Sequence, residues 1–186
     1  NGLDLANSIG PGLAKAAVAV TVNGKQQDLL DKLPSNATVS IITIKSDEGI
    51  EIMRHTLTAQ VLASAVKNLY PDAKLAIGPT IADGFYYDFY LAKPLSVDEL
   101  PKVEKEMHNI LENGSKITKT LHTKEDALSI FDNLDEGFKA EIITDSDQRD
   151  NFQIYTQDKT NFKDLCRGPH LPSLNMIGEF KLTKIS

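Results

Sequence analysis

Ala17-Val18-Ala19-Val20-Thr21-Val22-Asn23-Gly24 sets a β-prone run directly against the dipeptide favoured in two-residue hairpin turns. The strand it defines must therefore be followed by an antiparallel partner. A second β-branched run, Thr38 to Ile44, completes a small sheet. Upstream, Ile9-Gly10-Pro11-Gly12 punctuates the chain as a turn. The opening Asn1-Gly2-Leu3 enters this pattern in the middle, without a first strand, as a unit truncated at its start would. These first 45 residues carry four lysines against three aspartates, so the acidity of the chain lies in the remainder. That asymmetry divides the chain into two units, 1–45 and 46–186.

In the second unit, Ser46-Asp47-Glu48-Gly49 has helix-start chemistry, and Ala59, Leu62, Val66 and Leu69 recur at spacings of three and four. This spacing predicts a helix over Ile52 to Tyr70, stopped by Pro71. Leu75 to Pro79 and Gly84 to Tyr90 read as two strands joined by a loop. Ser96 with Glu99 forms a capping box for a helix whose stripe is Val97, Leu100, Val103, Met107 and Ile110, stopped by Gly114. Pro101 places the start of regular helix at or near itself. Thr123 with Asp126 caps a shorter helix through Leu134. Lys116 to Leu121, Glu141 to Thr144, Phe152 to Tyr155 and Glu179 to Ile185 read as strands. Helices and antiparallel strands mixed without a βαβ rhythm give an α+β class.

At 186 residues with 41% hydrophobic and 25% charged residues, the chain can bury a core. A formal charge of −6 argues against holding nucleic acid by a broad basic face. The single cysteine allows no internal disulfide and points to a reducing, cytoplasmic setting. No apolar stretch is long enough for a membrane span, so no membrane partner is expected. Seven carboxylates between Asp132 and Asp150 face only Lys139 and Arg149, which reads as a solvated face and matches no calcium loop.

Reactive groups concentrate in Lys163-Asp164-Leu165-Cys166-Arg167-Gly168-Pro169-His170, around a Gly-Pro pair that forces a turn. Thiolate and imidazole brought together in this way suit zinc coordination, and a neutral histidine suits proton transfer. A buried cysteine beside a surface histidine is the plainer alternative. His55, on the first helix, can bind metal, accept a proton or simply pack. Lys139 follows Gly137 and precedes a strand-like run, which can aim its ammonium into a pocket or leave it in solvent. In Gly84-Phe85-Tyr86-Tyr87-Asp88 alternate rings face opposite sides, leaving Tyr87 or Tyr86 to meet a polar ligand. His108 and His122 have no partner nearby and read as structural or surface residues.

The strings Ile77-Gly78-Pro79, Asp83 to Asp88, Asp164 to His170 and Phe180-Lys181-Leu182, in this order, closely resemble the N-terminal region of bacterial threonyl-tRNA synthetases. Residues 1–45, with Ser8 to Ala16 and Val22-Asn23-Gly24, resemble the leading TGS module of that family, a small β-grasp unit. The resemblance implies that residues 46–186 form a two-layer editing domain of antiparallel sheet and helices with a central cleft. Its activity would be hydrolysis of serine wrongly attached to threonine tRNA. The resemblance carries catalytic roles to Lys139, His55, Cys166 and His170, and substrate-binding roles to Asp164, Tyr87, Gly78 and Gln60. Arg167, Lys163 and Lys159 become candidates for contact with the RNA end. No metal or cofactor is implied for this chain. ATP, magnesium and zinc belong to a catalytic domain that the resemblance places outside it, along with the contacts of a homodimer. One departure stands out, because the family has two histidines four apart on the first helix. Aligned from Glu48 forward, His55 and Ala59 fill the two slots; aligned backward from Ala65, Thr56 and Gln60 fill them. A one-residue step would rotate a regular helix by about 100° unless a bulge absorbs it. Two other outcomes for this cleft are a catalytically weak module that positions the tRNA acceptor end, and a zinc-dependent hydrolase.

Overall fold

Asn23 and Gly24 both take positive φ, 49° and 82°. They join strand β1 (Ala17–Val22) to β2 (Lys25–Asp28) in the two-residue turn expected. The computed structural model describes residues 1–185. Two helices precede the hairpin, α1 (Gly2–Ile9) and α2 (Pro11–Ala16). The sequence had shown only the turn between them, because two helices this short carry little periodicity. An Asn1–Asp4 capping box starts α1 and Pro11 opens α2. Strand β3 (Val39–Thr43) pairs with the other edge of β1, giving an antiparallel sheet ordered β2-β1-β3.

A register shift between Ala17 and Ala19 lets β1 bury residues on both faces. Ala17, Val20 and Val22 pack with Ala6 and Leu29 on one side. Val18, Ala19 and Ile42 pack with Ile52 and Leu171 of the second unit on the other. The two units thus share a core.

Ser46 caps α3 (Asp47–Thr56), its hydroxyl accepting from the Gly49 N–H at 3.1 Å, so the helix begins five residues ahead of Ile52. The helix then widens into a π-helical segment, Leu57–Leu62, and continues as α4 (Ala63–Leu69). Two threonine hydroxyls compete for backbone acceptors at this point. Thr56 donates to the Ile52 carbonyl at 2.8 Å and Thr58 to the Arg54 carbonyl at 2.7 Å. The one-residue step read from the sequence is therefore met by a π bulge.

Where two strands were expected, four two-residue strands form: β4 (Lys74–Leu75), β5 (Thr80–Ile81), β6 (Gly84–Phe85) and β7 (Phe89–Tyr90). They pair as β4 with β7 and β5 with β6. Helix α5 (Leu100–Asn113) carries Pro101 in its first turn and ends at Gly114, whose φ of 60° forms the left-handed cap. Strand β8 (Ile117–His122), helices α6 (Lys124–Asn133) and α7 (Gly137–Asp145), and strands β9 (Phe152–Gln157) and β10 (Lys163–Leu165) follow, in a sheet ordered β10-β9-β8.

Three expectations are corrected. Glu141 to Thr144 lies within α7, where burial of Lys139 and Ile143 four apart sets a helical period that a short β-branched run does not show. Residues 179–185 form no strand; the Leu182 N–H and the Lys181 ammonium bond to Glu104 of α5 instead. Within the acidic stretch, Glu136 is buried, paired with Lys67 at 2.5 Å and accepting from the Leu75 N–H.

Leu57, Val61, Leu62, Ala65 and Val66 pack against Val103, Met107 and Ile110 of α5 and against Tyr155. Each fully buried side chain of this kind contributes roughly 1.5–3 kcal/mol. This apolar block fixes one wall of a cleft, and Ala127, Phe131, Ile143, Phe152 and Ile154 anchor the opposite wall. The α+β class holds, and among the described residues no helix is long and apolar enough to cross a membrane.

Candidate functional site

A cleft of about 600 Å³ opens between these walls. His55 and Ala59 reach it from the long helix, Gly78 and Tyr87 from the small hairpins, Lys139 and Ile142 from α7, and Asp164, Cys166 and Arg167 from β10 and the turn after it. Of the eight residues assigned catalytic or substrate-binding roles, six line this cleft directly. The other two, His170 and Gln60, do not.

Gln60 points into the core. It is fully buried, and its backbone and side-chain oxygens accept from the Gln157 amide at 2.8 and 3.4 Å. The π bulge explains this placement, because the extra residue turns Ala59, not Gln60, toward the cavity. His170 sits behind His55, 2% exposed, with the two imidazoles stacked at 4.6 Å and 9°. Thr56 fixes its proton. The Thr56 hydroxyl donates to Ile52, so it accepts from the Leu171 N–H at 3.0 Å and from His170 Nδ1 at 3.1 Å. His170 therefore carries its proton on Nδ1, and its buried Nε2 has no hydrogen-bond partner among the described residues.

His55 Nε2 lies 2.9 Å from Cys166 Sγ. Burial pushes the Cys166 thiol up to about 12, helped by the Asp164 carboxylate. Burial also lowers His55 below the ordinary histidine value and lowers His170 further, with His55 adding repulsion. Near neutral pH the pair is a thiol beside a neutral imidazole. Such a thiol is a poor nucleophile.

Facing this pair, Lys139 Nζ lies 2.9 Å from Asp164 Oδ1, with exposures of 6% and 2%. Burial raises the Asp164 carboxyl, and Lys139 opposes that rise. The ammonium also stands 6.0 Å from the centre of the Tyr87 ring. Burial and the Asp164 charge raise the Tyr87 phenol, so it stays protonated. Tyr87 is the inward ring of its pair; Tyr86 is 47% exposed. Gly78 is required by space, because a Cβ there would lie 2.3 Å from Tyr87 Cδ2 and 2.6 Å from Thr58 Cγ2.

Among the cationic candidates, Arg167 is exposed at the cleft wall. Lys163 instead bonds to Asn161 at 2.6 Å, and Lys159 bonds to the Asn113 carbonyl, both away from the cavity. Their closeness to Arg167 in sequence is undone by the strand and turn geometry. The one ligand atom offered by each of His55, Cys166 and His170 lies within 4.8 Å of the others, a grouping sized for a single metal ion. His108, stacked on Phe180 at 4.7 Å, and His122, bonded to Thr120, are structural as read.

Residues 3–43 match the TGS domain, and residues 153–186 match the threonyl and alanyl tRNA synthetase second additional domain. The Threonine--tRNA ligase of Hahella chejuensis is 42% identical over 184 residues, covering 99% of this chain and 28% of that protein. Threonine--tRNA ligase 2 of Bacillus subtilis is 46% identical over 183 residues, 98% of this chain and 28% of that protein. The chain belongs to the threonyl-tRNA synthetase family. It spans a little over a quarter of the length of these threonyl-tRNA synthetases. Asp164, Cys166 and His170 fall within the second matched stretch, whereas His55, Tyr87 and Lys139 lie outside both and join the site only through the fold. Thr56, read from the sequence only as one filling of a helix slot, supports the site through His170, and Tyr155 and Asp28 support it without having been singled out. Nothing in their local spacing marks them.

Proposed function

We propose that this chain hydrolyses the ester of threonine tRNA wrongly charged with serine, in the cytoplasm, by direct attack of water. The observation that carries this is the pairing, across one cleft, of a buried Lys139–Asp164 ion pair with a neutral His55–Cys166 pair. Water oxygen bonds to the ester carbonyl carbon, the carbonyl oxygen takes up negative charge, and the terminal ribose hydroxyl leaves with a proton. Lys139, held by Asp164, supplies the positive charge for the developing oxyanion. His55, neutral near pH 7, accepts a proton from the attacking water. Cys166 as a thiol orients His55 and does not form an acyl intermediate. Tyr87 and Gly78 bound the space for the aminoacyl group, and Arg167 meets the phosphate of the single-stranded RNA end. A net charge of −6 does not oppose this substrate, since only the terminal nucleotides enter the cleft.

Serine and threonine differ by one methyl, which binding alone separates by only about 1–3 kcal/mol, so a second site that admits the smaller product is needed. Incubating the chain with seryl- and threonyl-tRNA and following release of the amino acid tests the proposal. Seryl release well above that of a Lys139→Ala variant supports it; equal rates overturn it. Binding of the acceptor end without turnover would favour the positioning module, for which Ala59 in the second helix slot is the specific observation. The His55, Cys166 and His170 grouping gives the zinc-dependent alternative its footing, and that alternative requires turnover to fall on chelation and return with zinc.

A further inference from the structure

Asp28, at the end of β2 in the TGS unit, reaches across to the second unit and is met there by three donors. Its Oδ1 accepts from the His170 backbone N–H at 3.0 Å. Its Oδ2 accepts from the Tyr155 hydroxyl at 2.7 Å and the Lys119 ammonium at 2.8 Å. The donors come from β8, β9 and the turn after β10, so one carboxylate ties three segments of the other unit together. Tyr155 sets its ring edge against the His170 imidazole at 4.4 Å and 78°. It also stands where a Cβ on Gly168 would lie 1.9 Å from its hydroxyl, so this turn has no room to shift toward the sheet. His170 in turn is the face on which His55 stacks. Every step from Asp28 to the cleft is a direct contact.

We propose that Asp28 is a positioning residue for the hydrolytic site, so that the TGS unit acts on editing through one carboxylate and not only as a separate module. The inference rests on the hydrolysis proposed above. It follows from which atoms are engaged. A contact that merely docked the two units would need only the ion pairs of Lys119 with Asp28 and Asp31, the second at 2.5 Å. Asp28 spends its remaining acceptor sites on the phenol and the backbone that frame His170. A carboxylate accepts at all of these positions, whereas an amide in its place turns a donor toward one of them. Displacement of a supporting group by even 1 Å is enough to lower turnover strongly.

The test compares Asp28→Asn with Asp31→Asn in the full chain. Asp31 touches Lys119 but neither Tyr155 nor His170, so its variant loses interface stability alone. Two readouts are taken: kcat and KM for seryl-tRNA deacylation, and the ring nitrogen shifts of His55 and His170 by NMR without substrate. The expected result is a kcat loss of roughly tenfold or more for Asp28→Asn with KM little changed, together with altered His170 shifts, while Asp31→Asn keeps the kcat and the shifts of the parent. Tyr155→Phe, which keeps the ring on His170 and removes only the hydroxyl, reproduces part of the loss and serves if Asp28→Asn does not fold. Equal kcat losses in the Asp28 and Asp31 variants, or parental shifts in Asp28→Asn, overturn the proposal. If the parent chain shows no deacylation, the hydrolysis fails, and the histidine shifts still decide the role of Asp28.

Discussion

Replacing Lys139 by Met leaves Asp164 buried without its cation, and the consequence for stability depends on pH in a direction the structure dictates. Asp164 is 2% exposed and its partner lies 2.9 Å away. Removing one member of such a pair costs about 3–5 kcal/mol as long as the other stays charged. Asp164 has an escape, which is to take up a proton. Burial already raises its carboxyl, and Lys139 is the main influence holding that rise back. In Lys139→Met the folded-state value therefore climbs further above the unfolded value of about 3.9. Between those two values the folded protein binds more protons than the unfolded one, so stability falls as pH rises, by up to ~1.4 kcal/mol per pH unit. Below the unfolded value the carboxyl is neutral in both states and little is lost. Above the folded value the loss is complete. Urea unfolding near pH 5 and near pH 8 measures the difference; because Lys139 also helps to lower His55, both proteins carry His55→Gln, and subtracting the parent then removes the groups that titrate alike in both. The variant should be markedly closer to the parent at the lower pH. A stability gap of the same size at both values would refute the reasoning, since it would mean that Asp164 never exchanges its proton for the lost cation. A double variant, Lys139→Met with Asp164→Leu, should recover most of the loss, because an apolar pair of similar volume replaces a buried ion pair at little net cost.

Cys166, the only thiol, should alkylate slowly in the folded protein. With its thiol raised to about 12, the reactive thiolate near pH 8 is scarcer by roughly three orders of magnitude than for an unperturbed cysteine, and iodoacetamide labelling with and without urea reads the ratio. Gly78→Ala should lose about 1–3 kcal/mol in chemical unfolding and displace Tyr87 from the cleft, since its new Cβ meets the ring at 2.3 Å. His170, neutral and held well below its ordinary value by burial and by His55, is protonated more in the unfolded state than in the folded one below about pH 6.5. Stability should consequently fall as pH drops through that range, and thermal melts of His170→Gln should show a flatter slope. Deacylation, if His55 is the base, should keep its rate below pH 6.5 before its acid limb appears, because burial lowers His55 as well.

Much of the local fold was legible. The Asn23-Gly24 turn, the Ser46 and Thr123 caps and the Gly114 stop each act within a few residues, and each appears where it was read. Short apolar runs were not legible in the same way. Glu141 to Thr144 carries β-branched residues yet lies in a helix, because its partners Phe131 and Phe152 sit on other elements and reward a helical period. The site was legible as a set of residue types, most clearly in Asp164 to His170. Which members face the cleft was not. Lys159 and Lys163 lie eight and four residues before Arg167, yet of the three only Arg167 lines the cavity, because strand alternation and a turn separate their directions.

The amino-acid sequence by itself determined the hairpin, the helix starts and stops, the α+β class and the cluster of reactive groups around Gly168-Pro169. Those features follow from backbone conformation and hydrogen bonding among near neighbours, which a short stretch of sequence specifies. Only the tertiary structure decided that the π bulge turns Ala59 toward the cleft and Gln60 away, that Lys139 pairs with Asp164, and that Asp28 reaches His170 across 142 residues. The physical reason is that burial, and with it the protonation of His55, Cys166, Asp164 and His170, depends on which distant segments exclude water from each group.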